Sequence, residues 1–418
     1  MRDVEIPPAN LGVMAHRDRR DVPPNGLAEA ENWIYQDGDF QVRPGYNAFG
    51  DNPASRVMGY IQYRHRNGAL RTVKGTAVGW RKYDPETNAW TNITGTALTS
   101  SPAQQQVFRV FQKATETWLL GCGEADTPKK WDGLTATYVE MAGNPPKARC
   151  MAINANRVIF GNLKSGGTIS PVAVDVSLNG NFDGGYGSEQ VELLADTPGD
   201  IIAMAERGNL LTTIYKSDAI YNAIAVDAAD PFVFPLAHAL DEKSGPCSTL
   251  AVVKISDGMD AYLGNDGAPR LYDGAGRPSE FSPAAARWIK DNANFSTLVR
   301  AFGFYDPLLK QLFFVFAEQN KNNPNLAAII DPRSGTFHPY RWDTLRFSAG
   351  IKLNASTGLT IGELVGTIED QELTFGEYEE LEPRVILGEV GGQSYKDSAT
   401  DDNGVAITTF WESGLHNL

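Results

Sequence analysis

Apolar positions in this chain come in short runs bounded by turn residues, not at helical spacing. Met151-Ala152-Ile153 and Val158-Ile159-Phe160 flank Asn154-Ala155-Asn156-Arg157, the pattern of a hairpin. The same pattern recurs where Ile201-Ile202-Ala203-Met204 and Leu210-Leu211-Thr212-Thr213-Ile214-Tyr215 flank Arg207-Gly208-Asn209. It recurs again where Ala301-Phe302-Gly303-Phe304-Tyr305 and Gln311-Leu312-Phe313-Phe314-Val315-Phe316 flank Asp306-Pro307. Two segments read as helix. Ser282 supplies an N-cap, Pro283 a first helical position, and Ala284 to Lys290 good helix formers. Leu27 to Trp33 is expected to form a further turn or two.

A degenerate repeat organises these runs. An Asp with Gly, Pro or Asn beside it, usually next to an aromatic, returns at Tyr83-Asp84-Pro85, Trp131-Asp132-Gly133, Tyr272-Asp273-Gly274 and Ile330-Asp331-Pro332. Looser cousins lie at Lys216-Ser217-Asp218 and Tyr395-Lys396-Asp397. Where the strong members can be followed they fall roughly 50–60 residues apart, a stretched version of the blade period of a β-propeller. A four-stranded blade cannot bury both faces alone, whereas a ring of blades buries them against its neighbours. The expected fold is therefore all-β, a β-propeller of six to seven irregular blades with an N-terminal arm, seven fitting slightly better. Residues 1–50 are assigned to the arm and a first or closing strand, 51–404 to the propeller, and 405–418 to a C-terminal strand or tail.

Composition supports a packed core: 42% of residues are hydrophobic and 10% aromatic, with 41 Gly and 24 Pro for tight turns. Cys122, Cys150 and Cys247 are an odd number with no Cys-x-x-Cys spacing, so they read as buried small side chains from a reducing cytoplasm. The start of the chain lacks a signal-peptide pattern, and no apolar run is long enough to cross a bilayer, so no membrane insertion is expected. Net charge is −14, from 37 basic and 51 acidic residues. Such a surface repels phosphate backbones over most of its area. Twelve acidic residues against Arg384 and Lys396 fall between Glu363 and Asp402, which reads either as a solvated loop or as a surface over which DNA slides without sticking. Arg17, Arg19 and Arg20, beside His16, make the one compact basic cluster, either a flexible arm or a docking element for an acidic neighbouring subunit.

Several stretches, taken in order, resemble the propeller-containing tail-nozzle and packaged-DNA stabilisation proteins of short-tailed bacteriophages. Asn25-Gly26-Leu27, Glu31-Asn32-Trp33 and Val42-Arg43-Pro44-Gly45-Tyr46 open the series. Gly199-Asp200-Ile201-Ile202, Ile220-Tyr221, Phe232-Val233-Phe234 and Gly245-Pro246-Cys247-Ser248 follow. Tyr262 to Gly267, Leu271 to Gly274, Val385 to Gly388, Gly392 to Tyr395 and Trp411-Glu412-Ser413-Gly414 complete it. The resemblance spans about residues 25–415 and rests on the order of these landmarks. It implies a virion protein, made in the host cytoplasm, that forms a homo-oligomeric ring, often of six copies, below the portal and adaptor. Such a ring extends and closes the DNA exit channel, retains packaged double-stranded DNA without sequence-specific binding, and offers its outside to tail fibres or spikes. Relatives often continue past the Trp-x-Ser-Gly segment, so a C-terminal docking domain is expected to be missing or much reduced here. Within this picture Glu377, Glu379 and Glu380 are candidate channel-facing residues, and Arg17, Arg19 and Arg20 candidate docking residues.

Motifs of catalysis and cofactor binding are scarce. His16, His65, His238, His338 and His416 show no paired spacing, and there is no Gly-x-Ser-x-Gly elbow, phosphate-binding loop or dinucleotide fingerprint. Gly180 to Gly187 reads as a mobile loop. Asp257-Gly258-Met259-Asp260 and Asn265-Asp266-Gly267 have oxygens suited to Ca²⁺, but turn chemistry explains them equally. No enzyme activity, catalytic residue, metal or cofactor is expected. Two alternatives stay open: a propeller glycosidase or sialidase using a carboxylate pair such as Asp266 and Glu280, and a kelch-like interaction module suggested by Tyr83 to Trp90.

Overall fold

The computed structural model describes residues 11–413 apart from 24, 37–38, 100–103, 114, 166–167, 188–189, 209, 227–231 and 354–383. Seven antiparallel sheets follow one another along the chain as the blades of a β-propeller. Within a blade the strands are lettered A to D from the axis outward. The A strands are Val57–Arg64, Val107–Gln112, Lys147–Asn154, Ile201–Arg207, Val252–Ser256, Phe302–Asp306 and Phe347–Lys352, for blades 1 to 7. Each A strand contacts the A strands of the blades on either side, and blade 7 returns to blade 1. Their apolar side chains alternate between the two interblade interfaces. Phe302, Phe304 and Phe347 enter one cluster with Trp342 and Leu387, while Met204 and Ile201 enter another with Cys150 and Ile159.

Local chemistry explains the hairpins. Between Lys147–Asn154 and Arg157–Ser165 the turn residues Ala155 and Asn156 both adopt positive φ, 48° and 57°. That backbone matches the right-handed twist of the paired strands. The four strong Asp repeats occupy one equivalent place, the turn between strands C and D in blades 1, 2, 5 and 6. In each the carboxylate accepts from backbone N–H groups just beyond it: Glu86 onto Asp84, Leu134 and Thr135 onto Asp132, Ala275 and Gly276 onto Asp273, and Arg333 onto Asp331. The looser cousins are different. Asp218 sits in the B–C turn of blade 4, and Asp397 lies inside strand C of blade 7.

The helix Pro283–Asn292 begins as expected, with the Ser282 side chain accepting from the Ala285 N–H. The second expected helix does not form. Leu27–Glu31 is a strand paired with Phe410–Ser413, and Trp33–Gln36 pairs with Asp39–Val42. The Ala and Glu residues favour helix locally, but the Asn32 N–H donates to the Pro339 carbonyl, laying this segment along the outer strand of blade 6 and covering its edge. The loop at Gly180 to Gly187 is anchored by two aromatic side chains. Phe182 is buried edge-on against Phe111, and the Tyr186 hydroxyl donates to the Phe182 carbonyl.

Ring closure depends on a strand from the beginning of the chain. Gly45–Phe49 forms strand D of blade 7, pairing with Ser394–Ala399. Arg43 locks it. Its Nε donates to Asn32 Oδ1 (2.8 Å), Nη1 to the Pro44 carbonyl (3.0 Å) and Asp402 Oδ1 (2.9 Å), and Nη2 to the Arg341 carbonyl (2.9 Å) and Asp402 Oδ2 (2.5 Å). All five guanidinium donors are used, and the side chain is fully buried over Trp342, Tyr340 and Tyr46. Gly45 is required beside it, because a Cβ there would lie 2.1 Å from the Asp401 carbonyl oxygen. Across the adjoining seam Trp90 of blade 1 donates its indole N–H to the Phe49 carbonyl. Lys74, 4.3 Å from the Trp90 ring, donates to Ser394 Oγ and the Gly392 carbonyl of blade 7. Burial pulls the Lys74 ammonium down to about 7 against a weaker opposing pull from Asp51.

Two outcomes follow for stability. Arg43→Ala strands Asp402 in the interior and is expected to cost about 3–5 kcal/mol in denaturant unfolding. For Lys74, the unfolded chain binds the proton more tightly than the folded one between about pH 7 and the ordinary lysine value. Stability is therefore expected to rise with pH across that window, and Lys74→Met to flatten the rise, read from denaturation midpoints at several pH values.

Candidate interaction surfaces

The axis is the first place to seek a site in a propeller. Here it is crossed by side chains. Gln105, at the entry to blade 2, accepts from the Leu250 N–H and donates to the Ala301 carbonyl, both at 3.0 Å, which ties it to the entries of blades 5 and 6 across the ring. Nearby, Arg109 of blade 2 donates to the Met204 carbonyl and pairs with Glu206 of blade 4, while Arg149 donates to Thr249 Oγ1. At the opposite end, where the A strands of blades 5, 6 and 7 finish, a cavity of about 670 Å³ opens between Lys254, Asp257, Phe304, Tyr305 and Lys352. Its charges are already matched, Lys254 with Asp257 and Lys352 with Asp306, both at 2.6 Å.

The carboxylates weighed for chemistry are similarly engaged. Asp266 makes two hydrogen bonds with Arg270, 2.7 and 2.6 Å, and accepts from the Ala268 N–H. Burial raises its proton affinity, but these bonds outweigh that and hold it below the usual carboxylate range. Glu280 lies exposed on the outermost strand of blade 5, which pairs with the strand carrying Arg270. Asp260 is wholly buried between blades 4 and 5, where it accepts from Arg207 (2.7 Å) and from the Tyr215 hydroxyl (2.8 Å). Arg207 also donates to Thr213, Gly258 and Tyr272, and its guanidinium lies 4.8 Å from the Tyr272 ring. Burial drives Asp260 upward in spite of this partner. Asp260 and Arg207 connect blades 4 and 5, while Asp266 and Arg270 pair within blade 5. Among the described residues no group of three or more His, Cys, Asp or Glu side chains is placed to hold a metal. The three cysteines are buried and free. His338 is buried and its imidazole is pushed down to about 4 by desolvation.

A second groove, of about 640 Å³, lies between blades 2 and 3 and is lined by Pro145, Lys147, Lys164, Asp175, Tyr186 and Val191. Burial lifts Asp175 to about 6, against hydrogen bonds from the backbone of Gly187 and Val176. Apolar side chains are exposed at the outer corner of blade 4, among other places. Ile224 and Val233 face one another across strands C and D at 37% and 45% exposure, and Leu210 (62%) and Val226 (57%) adjoin them in the chain path.

The basic cluster at Arg17, Arg19 and Arg20 lies on an arm that is docked on its own propeller. Val13 donates its N–H to the Phe337 carbonyl of blade 6, and Val13 and Val22 are buried. Arg19 pairs with Glu412 (2.6 Å) and Glu29 (3.2 Å), joining the two ends of the described chain, while Arg17 and Arg20 are exposed. Glu377, Glu379 and Glu380 lie outside the described residues. Sequence reasoning missed the blade 4 corner, whose apolar residues look like ordinary strand positions until pairing shows which side faces out.

No family model and no curated protein matches this chain. Among solved structures it resembles the crystal structure of Chaetomium thermophilum Raptor, with a TM-score of 0.50 at 8% identity, over 91% of this chain and 30% of that one. The chain thus spans less than a third of that protein's length. The likeness is one of fold, and together with the seven sheets it defines a seven-bladed β-propeller.

Because both of its carboxylate partners are about half exposed, Arg19→Ala is expected to cost less than about 1 kcal/mol. Removing residues 1–24, which also takes Val13 from the Phe337 edge of blade 6 and the buried Val22 from the arm, should lower the melting temperature by several degrees more than Arg19→Ala does.

Proposed function

We propose that this chain is a structural subunit of a short-tailed bacteriophage tail, a propeller that stands side by side with copies of itself in a ring around the DNA exit path. The observation that carries the reading is the apolar corner of blade 4, Leu210, Ile224, Val226 and Val233, exposed on an otherwise acidic chain. The exposed cross-strand pair Ile224 and Val233 at this corner fits a protein interface. A contact between this corner and a different face of the next copy is heterologous, and such contacts close into rings when the rotation is right. The ordered landmarks from Asn25 to Gly414 support the same assignment, since Arg43-Pro44-Gly45-Tyr46 and Trp411 belong to the segments that close and edge the propeller. Gln105 crosses each propeller's own axis, so the DNA path in this reading runs between copies, past surfaces whose net negative charge repels phosphate. Portal and adaptor proteins above, and fibres or spikes outside, are the partners that go with it.

Native mass measurement of the purified protein, alone and with preassembled portal complex, tests the proposal. A symmetric ring is expected. Ile224→Glu combined with Val233→Glu should leave the melting temperature within a few degrees of the parent and abolish the ring. A parent chain that stays monomeric in both settings would count decisively against the assignment.

A further inference from the structure

At the end of the propeller where the A strands begin, two arginines meet without an acid. Arg56 immediately precedes strand A of blade 1. Arg300 ends the short 3-10 helix Phe295–Arg300 that leads into strand A of blade 6. Both reach over blade 7 toward Asn323, in the loop joining strands B and C of blade 6. Arg56 Nη1 and Arg300 Nη1 each lie 3.4 Å from the same atom, Asn323 Oδ1, so the two nitrogens are at most 6.8 Å apart. The amide oxygen is a weak, shared acceptor at that distance. Arg300 has one better bond, 2.9 Å to the Asn322 carbonyl.

Neither arginine takes part in an ion pair among the described residues, in a chain carrying 51 acidic side chains. The guanidinium of Arg56 has a further donor with no acceptor, its buried Nε. Burial, and then the charge on Arg300, depress Arg56 to about 10, as expected of a guanidinium that faces its like. Two buried arginines do meet carboxylates, Arg43 with Asp402 and Arg207 with Asp260. The contrast is the point. A pair with two positive charges and an unused N–H fits a doubly charged tetrahedral anion, which offers oxygens in several directions at once. A planar carboxylate brings half that charge.

We infer that Arg56 and Arg300 form a binding site for a phosphate dianion, free or as the terminal group of a monoester, on the face of the propeller where the A strands begin. The site takes its residues from blades 1 and 6, so a bound anion ties the two blades that flank the closing blade. It stands apart from the blade 4 corner and holds whether or not the protein forms a ring.

Calorimetric titration with inorganic phosphate, in chloride buffer of constant ionic strength at neutral pH, tests this directly. Ethyl phosphate and acetate serve as parallel titrants. Phosphate is expected to bind and to raise the melting temperature, while acetate does neither. Equal binding of ethyl phosphate assigns the site to monoesters, and its exclusion assigns it to the free anion. Arg56→Gln and Arg300→Gln should each weaken phosphate roughly tenfold or more. Arg300→Gln, at a partly exposed position, should melt no lower than the parent in chloride, because it removes a like-charge neighbour. No heat and no thermal shift with millimolar phosphate would overturn the inference. So would undiminished binding by the Arg300→Gln protein, or a preference for acetate.

Discussion

Closure of the ring is the constraint on which the rest of the molecule depends. Seven sheets can bury their faces only if the last meets the first, and here that meeting is made by Gly45–Phe49 pairing with Ser394–Ala399. Hydrogen bonds of the ladder alone do not specify this strand over another. Arg43 does, by filling all five of its donors with groups from residues 32, 44, 341 and 402, and it can do so only because Pro44 and Gly45 turn the chain tightly past Asp401. Its charge is buried at a desolvation cost that a hydrophobic residue would avoid, and what the arrangement supplies in return is register.

Much of the fold was legible because it is local. Asx turns need only an Asp and its next few residues, so the equivalence of Asp84, Asp132, Asp273 and Asp331 was visible as a repeat before their shared place between strands C and D was known. The cap at Ser282 was legible for the same reason. What misled was equally physical. Leu27–Glu31 carries helix-forming residues and becomes a strand because Phe410–Ser413, from the other end of the chain, offers it a ladder. Asp397 resembles a turn residue in sequence, yet lies mid-strand with its carboxyl pushed up to about 7, chiefly by burial. The arginine cluster at the A-strand entries could not be read at all, since Arg56 and Arg300 are far apart in the chain and only the seventh blade between them fixes their approach.

Polar groups sort themselves by position in this propeller. Between blades many are paired, as where Arg207 and Tyr215 of blade 4 donate to Asp260 of blade 5, and they link neighbouring sheets. At the rim the balance changes, and apolar side chains on blade 4 are left facing outward.

The closing strand also sets a clock for biosynthesis. Phe49 leaves the ribosome 345 residues before its partner Ser394. At roughly 5–20 residues per second, about 17–70 s pass in which strand D of blade 7 has no mate. Through that interval the nascent chain holds an unpaired edge at its front while blades 1 to 6 complete themselves behind it, so closing the ring waits on the capture of one of its first-made strands.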